Sequence, residues 1–295
     1  MAAPALALTW PIVALVLAGA VLHAGWNALV KSSGDKEVDT ALVHFLAALV
    51  ALPVLLMVGM PPPQAWPFIA GSLFMHIGYY TALAGAYKHG DLGLTYPIMR
   101  GFAPLLVALA SGLLIGEAPT AMAWLGIAGI TLGVTLVGLS RPAETLHHGK
   151  ALVFAFSNAL IIAIYTLIDG LGVRTATESG AFAAQYVMLL FVLDGIPYPT
   201  LVMLRRSPQG RLDILDYAKK RWPLAVLGGS ASIGSYAIAL WAMTRAPVAS
   251  VAALRETSVL FAALLGCWLL KEKFGAQRAL GTLVIVGGVM ALRLA

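Results

Sequence analysis

The sequence predicts an all-α polytopic membrane protein of ten transmembrane helices, built as two inverted-topology five-helix repeats. Three observations carry that prediction. The first is composition: of 295 residues, 60% are apolar and 11% charged, with a mean hydropathy of +0.88, whereas about a quarter of a water-soluble domain is charged. A soluble core of this length needs far less apolar surface, so lipid is the solvent. The second is that apolar runs long enough to cross about 30 Å of hydrocarbon recur ten times. The third is an internal echo. Trp66–Lys88 aligns without gaps on Trp222–Thr244, with Trp66-Pro67 on Trp222-Pro223 and Ile77-Gly78-Tyr79-Tyr80 on Ile233-Gly234-Ser235-Tyr236. One residue of slippage later, Arg100 falls on Arg255, Glu117 on Glu272, Gly126 on Gly281 and Gly133 on Gly288. The repeats are placed at 1–144 and 145–295. A repeat with an odd number of spans inserts upside down relative to its twin, and inverted repeats build secondary transporters whose substrate site lies at the repeat interface near the bilayer midplane.

The spans are expected at 9–31, 40–60, 66–88, 92–116, 120–140, 149–171, 181–204, 222–244, 247–270 and 275–294. Span 1 stops at Gly34-Asp35, span 2 at Pro61-Pro62-Pro63, span 3 at Gly90-Asp91 and span 4 at Glu117-Ala118-Pro119. Span 5 stops at Arg141-Pro142, span 6 at Ser179-Gly180, span 8 at Ala246-Pro247 and span 9 at Phe274-Gly275, all sequences that interrupt helices. Span 7 carries Asp194 beside Pro197 and Pro199, which predicts a bent helix with a peripheral kink. Residues 205–221 are the longest polar stretch and are expected to form a short surface helix. Small residues mark close helix packing: Gly71, Gly78 and Gly85 on span 3, Ala108, Gly112 and Gly116 on span 4, and Gly129 and Gly133 on span 5.

Alternate loops differ sharply in charge. Fourteen Lys and Arg fall in the loops after spans 1, 3, 5, 7 and 9, against Arg174, Arg245 and Arg293 on the other side. Both termini are therefore expected on the non-cytoplasmic side of a cell inner membrane. The net charge of +6 resides in loops rather than on one basic face, which points to the membrane surface and away from nucleic acid. The single Cys267 excludes an internal disulfide, and residues 1–30 lack the basic start of a signal peptide. No metal-ligand spacing, phosphate loop or nucleophile elbow is present, so no cofactor is expected. Two five-helix copies supply their own twofold interface, so a monomer suffices.

Spans 4 and 9 end in Leu-Leu-Ile-Gly-Glu117-Ala-Pro-Thr and Trp-Leu-Leu-Lys-Glu272-Lys-Phe-Gly, each followed by a glycine-studded span. Span 1 carries Leu-His23-Ala-Gly-Trp26-Asn27, and span 4 carries Tyr96-Pro97-Ile-Met-Arg100-Gly101. Over nearly its whole length the chain resembles the paired EamA domains of the drug/metabolite transporter superfamily. That resemblance implies a ten-helix carrier, typically an exporter of amino acids or other metabolites, with aromatic amino-acid exporters the nearest in function.

Arg100 and Arg255 lie eight or nine residues inside their spans, roughly 12–14 Å deep. An arginine there costs at least about 2.5–3.5 kcal/mol on insertion scales, so it must face protein or a wet cavity. Either it clamps a substrate carboxylate, for which guanidinium offers a planar fork of donors, or it belongs to a structural ion pair, with Glu256 holding Arg100 across the pseudo-twofold. Glu256 is the one acid in the middle of spans 3, 4, 8 and 9; it receives a substrate ammonium or neutralises an arginine. Asp169, in the last turn of the expected span 6, marks the membrane interface. Tyr79, Tyr80, Tyr96, Tyr236 and Trp26 are candidates to grip a side chain by ring contacts, with Tyr165 the repeat mate of Trp26. Asn27, His76 and Ser232 are candidate polar contacts at similar depth, and His76 can titrate near neutral pH; Asn158 and Ser235 are expected to bond between helices. The cavity walls are expected from spans 1, 3, 4, 6, 8 and 9.

The reading is thus alternating-access export of aromatic and other neutral amino acids or similar small metabolites. A multidrug cation antiporter is the alternative within the superfamily, weakened by two buried arginines and by a first span without an acid. An intramembrane enzyme would need a facing set of acid, base and nucleophile, which the sequence lacks.

Overall fold

The structure, a computed structural model, describes residues 6–89, 92–138, 149–270 and 275–295. Among these residues it holds helices and no strand. The expected breaks at Gly90-Asp91 and Arg141-Pro142, and Glu272 with Phe274, lie outside them.

Helix α1 (Trp10–Lys31) opens with Pro11 in its first turn, where a missing N–H is harmless. Helix α2 (Lys36–Val58) starts on Asp35, whose carboxylate accepts from the Val38 amide at 3.1 Å. It stops at Gly59, whose φ of +83° favours glycine, and a one-turn helix at Pro63–Ala65 leads into α3 (Trp66–His89). Helices α4 (Leu92–Leu114) and α5 (Ala121–Gly138) complete the first repeat. The second holds α6 (Gly149–Glu178), α7 (Ala183–Asp194), α8 (Pro197–Arg205), α9 (Pro208–Met243), α10 (Val248–Glu256), α11 (Ser258–Leu270) and α12 (Ala276–Leu294). Together α7 and α8 form one span, as do α10 and α11.

Nine spans among the described residues are long and apolar enough to cross a membrane. The tenth, α3, has 24 residues but falls short in hydropathy. Ser72, His76, Tyr79, Tyr80 and Thr81 interrupt it, and most of them turn out to serve the protein's interior. The chain is a multi-pass membrane protein.

Four expectations need correction. Helix α6 runs on to Glu178, so Asp169 is not in a last turn but fully buried in the bundle. The polar stretch after 205 is no separate surface helix: from Pro208 it is continuous with the membrane span, 36 residues or roughly 54 Å in all. Its residues are good helix formers, and polarity alone does not stop a helix. Span 9 breaks at Thr257, whose amide, at 3.2 Å, and hydroxyl, at 2.7 Å, both donate to the Leu254 carbonyl. Span 7 does break before Pro197, yet the site is not peripheral, because Asp194 faces inward.

Packing follows the pseudo-twofold. Helix α1 rests on α9, and α3 rests on α6, so each repeat's first helix lies on the other repeat's third. Gly71, Gly78 and Gly85 of α3 face Ile168, Ile161 and Phe154 of α6, two seven-residue stripes running antiparallel. At α5 and α12 the backbones nearly touch. A Cβ on Gly126 would stand 2.8 Å from the Gly288 carbonyl oxygen, and one on Gly133 would stand 2.7 Å from that of Gly281. The sequence mates are 126 with 281 and 133 with 288, so the contacts cross them. Repeat mates on antiparallel helices make that crossed pattern, as inverted topology requires.

Candidate functional site

A cavity of about 120 Å³ lies among the helices around the dyad. Trp26 and Asn27 of α1, His76, Tyr79 and Tyr80 of α3, Tyr96 and Arg100 of α4, Ser232 and Tyr236 of α9 and Arg255 of α10 all line it. Glu256 does not: it is buried behind Arg100. The wall also includes His44 of α2 and Leu190, Phe191 and Asp194 of α7, so spans 2 and 7 join the six expected. A larger groove of about 430 Å³ between α4 and α6 is lined by leucine, isoleucine and alanine alone. It offers no group to orient a polar solute.

The two arginines have different surroundings. Glu256 Oε2 lies 2.8 Å from Arg100 Nε, close enough for an ion pair although not aligned as a hydrogen bond. Arg100 Nη2 donates to His23 Nε2 at 2.7 Å, which leaves that ring nitrogen carrying a lone pair. Arg255 is equally buried, at 5% exposure. Its guanidinium sits 5.1 Å over the Tyr236 ring. Its Nε has no hydrogen-bond partner, and no carboxylate among the described residues pairs with it.

Two carboxylates flank this centre, each bonded to one of the repeat-related tyrosines. Asp169 accepts from Ser72 at 3.0 Å, from Tyr186 at 2.8 Å and from Tyr236. Asp194 lies 3.1 Å from His44 Nδ1 and accepts from Tyr80 at 3.2 Å. Tyr198, just beyond the helix break, stacks on Tyr80 with centroids 4.6 Å apart. His76 stacks on Tyr165 at 4.7 Å, and its Nδ1 lies 2.8 Å from the Ser72 carbonyl oxygen, so Nδ1–H donates. Asn158 of α6 donates to the Tyr79 carbonyl of α3, a bond between helices, while the Asn27 nitrogen donates to the His23 carbonyl one turn back in its own helix. Among the described residues no group of three His, Cys, Asp or Glu is placed to hold a metal ion.

One end of the bundle is tied shut. Glu117 pairs with Arg174 and accepts from the Val248 amide at 2.9 Å, the first turn of α10. Arg174 donates to the carbonyls of Met243 at 2.7 Å and Ala246 at 3.1 Å. The ends of α4 and α6 and the α9–α10 turn are thus bound together. At the other end Arg206 lies between Asp35 at 3.2 Å and Glu37 at 2.9 Å, and those carboxylates hold its guanidinium above its ordinary pKa.

Sequence reasoning passed over His44 and gave Asp194 a peripheral role. A signal was available: each is the sole charged or imidazole side chain in its expected span. Such residues inside a bilayer mark functional sites by default.

A model of the EamA-like transporter family matches residues 4–139 and again 149–294. No curated protein matches the chain. A protein of known crystal structure superposes with a TM-score of 0.71 at 19% identity, over 96% of this chain and 95% of that one. At that identity the likeness speaks for the fold.

Proposed function

The chain belongs to the EamA-like transporter family, and from that premise we propose that it exports neutral amino acids, aromatic ones among them, by alternating access through the central cavity. Membership makes it a transporter of the drug/metabolite superfamily; the substrate is our reading. One observation carries it: of two arginines buried at the dyad, Arg100 is paired with Glu256, while Arg255 lines the cavity with no carboxylate partner among the described residues. A desolvated guanidinium without a counter-ion is a receptor for a carboxylate. Trp26, Tyr79 and Tyr96 then offer ring faces to the substrate's side chain, and Asn27 and Ser232 offer polar contacts. Glu256 acts through Arg100 and does not touch the solute. The cavity volume favours a small solute, since drug-sized ligands occupy about 300–1,000 Å³. The carboxylate of Asp194 on the wall is what favours a cation carrier, and the free arginine opposes it.

In this reading the protein sits in the cell's inner membrane with both termini outside, and the repeats divide at 144/145. The Glu117–Arg174 end is then the outer one, held closed. The test is transport by purified protein in vesicles with labelled phenylalanine, threonine and glutamate. Arg255→Gln is expected to abolish transport of any carboxylate-bearing substrate that the wild type carries. Transport retained by Arg255→Gln refutes the clamp.

A further inference from the structure

The membrane interior is one positive charge short. Among the described residues its buried charged side chains are Arg100 and Arg255 against Glu256, Asp169 and Asp194; the remaining one, Asp39, is neutralised by Arg221. Two guanidinium groups thus face three carboxylates. A bundle that reorients within lipid carries an uncompensated charge at high cost, so one proton has a place to be. Three histidines line the cavity. His23 is excluded by its contact with Arg100, because a protonated ring has no lone pair to accept that N–H. His76 donates to a backbone carbonyl and touches no carboxylate. His44 alone lies against an acid, with Nδ1 3.1 Å from Asp194 Oδ2.

Among the described residues, two other elements present titratable groups to that pair. From α3 come Tyr80, whose hydroxyl reaches both His44 Nδ1 at 3.3 Å and Asp194, and His76, one turn before it. From α8 comes the Tyr198 ring. Asp169, the other acid, accepts from the hydroxyl groups of Ser72, Tyr186 and Tyr236, and no imidazole or guanidinium among the described residues bonds to it.

We propose that His44 and Asp194 form a proton-binding site, and that the carrier crosses between its inward and outward forms with His44 protonated. Loss of that proton leaves the Nδ1–H bond to Asp194 intact and removes one positive charge from the cavity wall. The site rests on the amino-acid reading above and deepens it. A zwitterion adds no net charge, so the proton is needed on both legs of the cycle. For such a substrate, exchange slows as the pH rises equally on both sides, and a pH gradient does not by itself drive accumulation. A monocation can stand in for the proton and exchanges against it.

The experiment is exchange of labelled neutral amino acids in vesicles containing the full chain, at equal pH on both faces, from about pH 5 to about pH 8. Wild-type exchange is expected to fall with rising pH. His44→Gln is expected to be slower than wild type by about tenfold or more at the acid end. Adding Asp194→Asn to His44→Gln removes the unmatched negative charge, restores most of that loss and leaves the profile flat. A flat wild-type profile, or a double variant as slow as His44→Gln, overturns the proposal. If wild type carries no amino acid, the export reading fails and a second measurement decides this one. Difference titration of purified wild type against His44→Gln is expected to show one proton fewer bound by the variant at the acid end. An equal proton count at both ends of the range overturns the site.

Discussion

Glu256→Gln tests the division of labour between the arginines, because it removes the partner of one and touches nothing on the other. Arg100 and Glu256 have side-chain exposures of 7% and 4%, so water cannot replace the lost carboxylate fully. Stranding one member of a buried ion pair costs about 3–5 kcal/mol. Here the lower end applies, since Arg100 keeps its contact with His23 and borders the cavity. A loss of about 3 kcal/mol corresponds to roughly 6–12 °C in Tm at about 2–4 °C per kcal/mol. Arg255→Gln deletes a charge that has no partner to strand, so its Tm is expected to stay near wild type. Arg100→Met combined with Glu256→Met removes the pair together and should recover most of the loss, because apolar replacement of a whole buried pair is neutral to stabilising. Thermal unfolding in detergent, followed by the protein remaining soluble after heating, ranks the four proteins. The reasoning is refuted if Arg255→Gln falls as far as Glu256→Gln, or if the double variant is no better than Glu256→Gln.

Two further outcomes are expected. Gly126→Ala should destabilise by about 1–3 kcal/mol, since its Cβ would stand 2.6 Å from a Leu292 side-chain carbon and 2.8 Å from a backbone oxygen of α12; Gly25→Ala, with nothing within 4 Å, should be neutral or gain about 0.5–1 kcal/mol in the same melting assay. Glu117→Gln should loosen the closed end. In a Cys267→Ser background, an impermeant thiol reagent added outside intact cells should label Ala246→Cys faster by about tenfold when Glu117→Gln is present. Unchanged labelling shows that the Arg174 bonds to Met243 and Ala246 hold the turn alone, and labelling from the cytoplasmic side only would reverse the assigned orientation.

Much of the fold was legible because lipid makes a strong demand: ten long apolar segments and a repeated pattern of Arg, Glu and Gly leave few alternatives. The crossed contacts of Gly126 with Gly288 and of Gly133 with Gly281 follow from the same repeat once it is inverted. What was not legible has specific causes. Between Val248 and Leu270 there is neither proline nor a turn-forming pair of residues, and Thr257 is no strong helix breaker, so nothing local announces a break one residue after Glu256. His44 and Asp194 lie 150 positions apart, and each alone resembles an isolated polar residue in a packing helix. Only the contact of α2 with α7 across the dyad brings them together.

The position after each arginine shows how a duplicated scaffold acquires a one-sided site. Repeat alignment sets Arg100 on Arg255, and therefore Gly101 on Glu256. A Cβ at 101 would stand 2.8 Å from Thr135 Oγ1, so a side chain there requires that hydroxyl to turn away. With glycine at 101 the first repeat supplies no counter-ion at this position, while the second does, and the carboxylate of Glu256 goes across the dyad to Arg100 rather than to its neighbour Arg255. Adjacent helical residues point about 100° apart, so Glu256 cannot serve the face that Arg255 presents. Had both repeats kept glycine, two unmatched guanidinium groups would repel each other at the midplane; had both carried glutamate, both arginines would be neutralised in the same way. One glycine and one glutamate leave a single arginine open to the cavity, and the solute meets an oriented site inside a nearly symmetric frame.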